Sequence, residues 1–292
     1  MKNTRSYILI IILALIVGYV GACLNNDNIA SHTKEKSVLQ EITERGTLKC
    51  GYAAFSPMLI VDPNTKKLSG ISYDIMQEVG KKIGVKVEWA EEAGWGEFTQ
   101  ALENKRFDVF CTAHWPSVQR AKIVDFTKPF LFSPVSIYGR ANDNRFDNNI
   151  EKLNQKTSRF SFIDGSTPSM FIPKIFPLAS YAALPELTPV SNIFMEVQQN
   201  KADATMMDKS TTTNYMKANP GVLKLIPGGE NQLVFANVFS VKKGEYQLQQ
   251  MLDVALQELA NEGEINRIVS KYEPAPNSYY RLLPSYNANE NK

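Results

Sequence analysis

Residues 71–89, ISYDIMQEVGKKIGVKVEW, contain one helix and one strand of an α/β protein in a single run. The apolar residues of the first part recur at the three- and four-residue spacing of an amphipathic helix. They are Ile75, Met76, Val79 and Ile83. Gly84 is the residue type that commonly ends a helix, and the apolar residues after it alternate as on a half-buried strand. The run therefore predicts a helix over 72–82 that is followed directly by a strand.

The same alternation continues on both sides of this run. A strand is predicted over Thr47–Ala53 before it, and a short helix over Glu97–Lys105 and a buried strand over Phe107–Thr112 after it. Strands that alternate with helices favour a parallel sheet with crossover connections. We therefore expect an α/β fold.

A second series of the same kind follows. It comprises a strand over 158–164, a helix over Ser191–Asn200, a strand over Ala202–Met207 and a helix over Lys209–Lys217. Two similarly built series suggest two lobes. A long apolar strand over Leu233–Val241 and two helices within 245–272, broken at Gly263, come next. The tail 274–292 has no clear period, and its role is left unassigned.

The N-terminus, MKNTRSYILIIILALIVGYVGAC, is typical of an export signal that ends in a lipid-anchored cysteine. Two basic residues precede an apolar core of secretory length, and a Val-Gly-Ala-Cys sequence follows it. We predict a signal peptide over 1–22, lipidation at Cys23 and a flexible polar tether over 23–43. An ordinary secretory signal or an uncleaved anchor remains the alternative.

The composition argues against several classes of function. Without Lys2 and Arg5, which the signal would remove, the 32 basic residues become 30 and equal the 30 acidic ones. A neutral chain gives no support to nucleic-acid binding. The histidines are His32 and His114, with no cluster of cysteine and histidine, so neither a metal site nor a cofactor is expected.

Two further cysteines, Cys50 and Cys111, stand near the ends of predicted core strands. An exported compartment permits a disulfide, and a bridge between these strands is conceivable. We interpret the two residues as small buried thiols, with the bridge as the alternative.

Several short motifs, in order, resemble the family 3 solute-binding proteins of ABC transporters. They are GTLK (46–49), SGISYDI (69–75), RFDVF (106–110), SVQRA (117–121), VDFTKPF (124–130) and FSVKKG (239–244). The resemblance covers about residues 44–272. It implies a two-lobed periplasmic binding protein type II fold, in which each lobe is a mainly parallel mixed sheet flanked by helices. Two hinge strands near 136–141 and 235–240 would join the lobes.

The resemblance also implies lobe boundaries and a role. Residues 44–138 and 238–273 would form the first lobe, and 139–237 the second. The protein would be a monomer in the periplasm or at the outer face of the cytoplasmic membrane. It would capture an amino acid or related amine between the lobes and deliver it to a membrane permease, without catalysis.

The family's carboxylate-binding residues match two segments of this chain. Arg120 matches the arginine that clamps the ligand carboxylate, and Ser117 could add a hydroxyl donor. Gly165, Ser166 and Thr167 match a turn that offers further donors to the carboxylate. The alternatives are a surface arginine, a helix N-cap and an ordinary turn.

The rest of the ligand would meet an acid and aromatic rings. Asp208 matches the family's ammonium-binding acid, with a helix cap as its alternative role. Phe55 and Trp95 stand where relatives hold the ligand side chain between rings, and Tyr52 where some relatives have an acid. Core packing is the alternative for each of these rings. Trp115 replaces a small hydroxyl residue, so it either lines the pocket as a third aromatic wall or packs between the lobes. Together these rings suggest an aromatic cage for an amine.

Two other functions stay open. Some exported cyclohexadienyl dehydratases share this fold, and that reaction requires a carboxyl group to protonate a leaving hydroxyl. A sensory module that reports the ligand to a separate signalling protein is the other alternative.

Overall fold

The structure, a computed structural model, describes residues 12–18 and 36–282. Its chain separates into one unit over 1–37 and a second over 38–292, and the two are described separately. In the first unit, residues 12–18 are helical. No helix within the described ranges has the length and apolar character needed to cross a membrane. Cys23 lies outside these ranges, so lipidation there stays a prediction.

The second unit contains twelve strands and nine α-helices among its described residues. The strands are β1 (Thr47–Tyr52), β2 (Ile60–Val61), β3 (Leu68–Ser69), β4 (Lys86–Glu92), β5 (Val109–His114), β6 (Val124–Phe126), β7 (Leu131–Arg140), β8 (Arg159–Ile163), β9 (Ser180–Leu184), β10 (Ala204–Asp208), β11 (Leu223–Leu225) and β12 (Leu233–Lys242). The helices are α1 (Val38–Arg45), α2 (Ile71–Ile83), α3 (Phe98–Glu103), α4 (Val118–Ala121), α5 (Thr167–Ile175), α6 (Ser191–Gln198), α7 (Lys209–Ala218), α8 (Tyr246–Asn261) and α9 (Glu264–Tyr272). A short 3-10 helix covers Ile150–Leu153.

Ten strands form one mixed sheet, in the order β4-β1-β5-β12-β7-β10-β8-β9, with β6 beside β12 and β11 beside β7. The first half-sheet (β4, β1, β5) is parallel, and so is the second half-sheet (β10, β8, β9). The antiparallel strands β12 and β7 lie between them. The expected α/β fold is confirmed.

Each of these two central strands changes partner along its ten residues. Strand β7 pairs with β12 over 131–135 and with β10 over 135–139. Strand β12 pairs with β7 over 233–237 and then with β5. The two strands therefore connect the half-sheets in the manner expected of hinge strands. The lobe boundaries at 138 and 237 remain a proposal, which this change of partners supports.

The predicted tether ends earlier than the sequence suggested. Residues 38–43, assigned to it, belong to helix α1, in which Val38 and Ile42 are buried. The carboxylate of Glu245 accepts a hydrogen bond from the Val38 backbone N–H at 3.0 Å. The assignment was wrong because an apolar pair four residues apart is a short signal beside so many polar neighbours.

Cys50 and Cys111 form a disulfide, so the interpretation as free buried thiols was wrong. Their Cα atoms are 5.4 Å apart, because β1 and β5 are neighbouring strands that pair Cys50 with Val109. The sequence does not show which strands are neighbours, and this adjacency decides the pairing.

The C-terminal segment 274–282, which had no assigned role, packs against the hinge strand β7. Tyr280 exchanges two backbone hydrogen bonds with Phe132, at 2.9 and 2.8 Å. Tyr279 is 2% exposed, and the carboxylate of Glu273 accepts a hydrogen bond from its N–H. The segment is therefore part of the folded body.

Candidate ligand-binding site

A cavity with about 450 Å³ of empty space, part of it open to solvent, lies at the carboxyl ends of strands from both half-sheets. Predicted site residues supply five of its lining positions: Phe55, Trp95, Trp115, Ser166 and Thr167. The other lining residues are His114, Phe162, Ile163, Pro168, Val190 and Met207. Open α/β sheets bind ligands at this edge, where loops and helix N-termini converge.

Aromatic rings form one wall of the cavity. The ring of Phe55 meets Trp95 edge-on at a centroid distance of 5.7 Å and Trp115 at 6.5 Å. Trp115 also stacks on Phe235 of β12, with centroids 4.9 Å apart and planes at 10°. Trp115 therefore lines the cavity and also packs against the hinge strand β12, and its contact with a ligand stays a prediction.

His114 is the titratable side chain in this lining, and it is uncharged. Because the carbonyl oxygen of Thr112 can only accept, His114 Nδ1–H donates to it at 3.0 Å. Nε2 is then the acceptor for the hydroxyl of Ser240 at 2.9 Å. Burial, with the positive charge of Arg120 nearby, lowers the pKa of His114 to about 3.

Arg120 lies behind the aromatic wall and is 4% exposed. Its Nη1 donates to the Trp115 carbonyl at 3.3 Å and to Thr167 Oγ1 at 3.1 Å. Its Nη2 donates to the carbonyls of Trp95 at 2.9 Å and Gly165 at 2.8 Å. The guanidinium thus joins loops of the first half-sheet to the start of α5 in the second. A ligand carboxylate on Nη1 or Nη2 would have to replace some of these oxygens.

Burial lowers the pKa of Arg120 to about 10, and the negative charge of Glu186 opposes that shift. The side chain therefore remains a cation at neutral pH. A cation that is 4% exposed requires hydrogen-bond acceptors, and the surrounding carbonyl oxygens supply them.

Glu186 makes a second link between the half-sheets. Its carboxylate accepts hydrogen bonds from the N–H groups of Gly96 at 2.9 Å and Glu97 at 3.3 Å. The chains approach closely here, since a Cβ on Gly165 would lie 2.6 Å from the Gly96 nitrogen. Gly165 also has φ +71°, so this contact requires glycine for two reasons.

Asp208 has the capping role that was its alternative reading. Its Oδ1 accepts a hydrogen bond from the Thr211 N–H at 2.8 Å at the start of α7. Its Oδ2 is buried without a hydrogen-bond partner, and the residue is 1% exposed. Burial raises the pKa of Asp208 to about 6. The side chain is not among those lining the cavity, so ammonium binding by Asp208 remains a proposal.

Four other predicted residues also lie outside the cavity lining: Arg120, Gly165, Ser117 and Tyr52. Ser117 caps the short helix α4, where its hydroxyl oxygen accepts from the Arg120 N–H at 3.2 Å. Tyr52 packs edge-on against Trp89, with ring centroids 6.0 Å apart. The N-cap given as the alternative for Ser117 is therefore what the structure shows, whereas nothing in the local sequence shows which way the Tyr52 side chain points.

Sequence reasoning missed six of the lining residues. Phe162, Ile163 and Met207 lie at or near the ends of β8 and β10, so the rule that ligands meet strand ends could have identified them. Val190 and Pro168 stand beside helix starts and carry no comparable sequence signal. Among residues 12–18 and 36–282, no cluster of side chains could hold a metal ion.

Comparisons with known proteins agree with this geometry. The family model "Bacterial extracellular solute-binding proteins, family 3" matches residues 31–275. The L-cystine-binding protein TcyA of Bacillus subtilis is 24% identical over 273 residues, which cover 92% of this chain and 97% of the relative.

Two solved structures share the fold. The ancestral amino acid-binding protein AncCDT-1, a precursor of cyclohexadienyl dehydratase, matches with a TM-score of 0.72 and 24% identity, over 82% of this chain and all of the other. An ancestral arginine-binding protein bound to arginine matches with a TM-score of 0.68 and 27% identity, over 78% and 98%. The two-lobed fold and the resemblance read from the motifs are confirmed. The chain belongs to the bacterial extracellular solute-binding proteins of family 3.

Proposed function

We propose that this protein is an exported, lipid-anchored receptor that captures an amino acid between two lobes and delivers it to the permease of an ABC importer. The observation that carries the proposal is the cavity at the strand ends, which both half-sheets line and which Arg120 and Glu186 span. Family membership and the amino-acid-binding relatives support it. The disulfide is compatible with an oxidising exported compartment.

The proposed binding mode uses the charged groups around the cavity. The ligand carboxylate would take some of the N–H donors of Arg120 and the polar groups at the start of α5, including Ser166 and Thr167. Asp208 would accept the ammonium through its unpartnered Oδ2 after a local rearrangement. The ligand side chain would rest on the rings of Phe55, Trp95 and Trp115.

A binding role fits the cavity better than dehydration does. A dehydratase requires a carboxyl group that can protonate the leaving hydroxyl. The side chains described as lining the cavity include no carboxyl group, and the proposed binding mode uses Asp208 as the acceptor for the ligand ammonium. We therefore expect prephenate and arogenate to yield no aromatic product with this protein.

Calorimetry on the mature chain tests the proposal. Titration with the twenty amino acids and cystine should give at least one ligand with a micromolar or lower Kd. A ligand at about a hundred times its Kd should stabilise the fold by roughly 2.7 kcal/mol. A folded protein that binds none of them would refute amino-acid capture.

The anchor and the transport role need separate tests in cells. An alkyne-labelled fatty acid should be incorporated into the full chain and not into a Cys23→Ala variant. Deletion of the gene should reduce uptake of the ligand that calorimetry identifies. Incorporation into both chains equally would contradict lipidation at Cys23.

A further inference from the structure

We infer that the cavity selects an amino acid whose side chain carries no net charge, and that Trp115 and Phe55 provide the surface that recognises it. This inference rests on the function proposed above. It narrows the ligand class from amino acids in general to those with uncharged side chains.

The first step is the chemistry of the lining. None of the side chains described as lining the cavity belongs to Asp, Glu, Lys or Arg. A second cavity, with about 700 Å³ of empty space that is partly open to solvent, shares Phe55 and Val190 with the first. Its described lining also lacks charged side chains. A ligand side chain that extends in either direction therefore meets neutral groups.

The second step concerns the charged groups close to the cavity. The carboxylate of Glu186 already accepts hydrogen bonds from Gly96 and Glu97. Asp208 caps helix α7 through one oxygen, and its other oxygen is the acceptor proposed for the α-ammonium. Both terminal nitrogens of Arg120 donate to protein oxygens. None of these three charged side chains is among the residues described as lining either cavity, so none of them faces a ligand side chain there.

The third step compares the two kinds of ligand. A buried cation without a paired acid loses its hydration, and contact with an aromatic face offsets only part of that loss. An uncharged side chain gains from leaving water and from contact with Phe55 and Trp115. The stacking of Trp115 on Phe235 fixes its ring, so this surface is present before the ligand arrives.

Matched ligand pairs test the inference on the mature chain by calorimetry. Citrulline has nearly the shape of arginine without the charge, and norleucine is lysine without its side-chain ammonium. We expect the tightest of the twenty amino acids to be uncharged in its side chain. Within each pair, the neutral member should bind at least about a hundredfold tighter.

The other outcomes distinguish a failure of the inference from a failure of the proposed function. If arginine or lysine binds as tightly as its neutral partner, or a charged amino acid binds tightest, the inference is overturned while amino-acid capture stands. If no amino acid binds to the folded protein, the proposed function fails together with the inference.

A gain-of-function variant tests the missing acid directly. Val190 lines both cavities and is half-buried at the start of helix α6, where a carboxylate is tolerated. Val190→Asp should shift the preference between arginine and citrulline at least about tenfold toward arginine, relative to the isosteric Val190→Asn. Equal preferences in the two variants would show that something other than a missing acid excludes cations, and would overturn the inference.

Discussion

The guanidinium of Arg120 bonds to protein oxygens on both sides of the cavity, and this determines how a ligand can use it. In the proposed binding mode a carboxylate exchanges with some of these oxygens. Arg120 would then serve both closure and ligand binding. The two roles can be distinguished by comparing two ligands, one with and one without the carboxylate charge, on the same protein.

Arg120→Ala should weaken binding of the identified amino acid at least about a hundredfold, because a charge-assisted hydrogen bond to the carboxylate is lost. The carboxamide analogue of the same ligand has no carboxylate charge, so the substitution should affect it much less. Calorimetry with both ligands and both proteins gives the coupling between the charges. Circular dichroism serves as the control for folding. Equal losses for the two ligands would contradict the carboxylate assignment.

Asp208 should make stability depend on pH. Its pKa in the folded protein is about 6, above the ordinary value of 3.8, so the folded state binds the proton more tightly than the unfolded state. This contribution is fully present below pH 3.8 and is lost as the pH rises through 6. The free energy of unfolding should therefore fall by about 2 kcal/mol between pH 4 and pH 7.

Asp208→Asn keeps an oxygen that can cap α7 but does not titrate, so it should abolish this part of the pH dependence. Urea unfolding of both proteins at pH 4 and pH 7 measures the difference, in which the other titrating groups cancel. Parallel losses in the two proteins would mean that Asp208 is not the group responsible.

The candidate site was predictable at some residues and not at others. Phe55, Trp95, Trp115, Ser166 and Thr167 follow strands or open a helix, so the edge of the sheet brings them together. The contacts of Arg120 with main-chain oxygens are different in kind. These contacts depend on which loops meet across the cavity. The order of side chains in the sequence does not show where a main-chain carbonyl group points.

At the level of elements, the pattern of apolar residues predicted the strands and helices that alternate around Gly84, which adopts φ +80° and ends α2. It did not predict which strands become neighbours, and this is why the pairing of Cys50 with Cys111 stayed open. The C-terminal segment has no periodic signal, because a buried ring, backbone hydrogen bonds to β7 and single side-chain contacts hold it in place, and none of these recurs at a regular spacing.

The docking of that segment on β7 predicts a measurable effect on stability. Tyr279 is 2% exposed, so Tyr279→Ala should lower the free energy of unfolding by about 3 kcal/mol through lost burial and a new cavity. Tyr279→Phe keeps the ring and should retain most of the stability. Urea unfolding compares the three proteins. An alanine variant as stable as the wild type would show that the segment does not pack on the hinge strand in solution.

For the whole molecule, the two links across the cavity bear on how the lobes open and close. The pair of antiparallel strands β7 and β12 connects the half-sheets, and rotation about such strands is the usual route of hinge closure. Arg120 of the first half-sheet donates to Gly165 of the second, and Gly96 of the first half-sheet likewise donates its N–H to Glu186 of the second. Removal of either link should favour an open arrangement without disturbing the sheet.

Glu186→Ala is the cleaner of the two tests, because Glu186 is outside the cavity lining and outside the proposed ligand contacts. It removes the acceptor for the N–H groups of Gly96 and Glu97, so the closed arrangement loses a charge-assisted link. Small-angle X-ray scattering should give a larger radius of gyration for the variant, and ligand affinity should fall about tenfold, since a ligand must then supply the free energy of closure. Glu186→Gln keeps an oxygen acceptor and should lie between the variant and the wild type. If the radius and the affinity of Glu186→Ala both match the wild type, the contact at Gly96 is a consequence of closure and does not stabilise it.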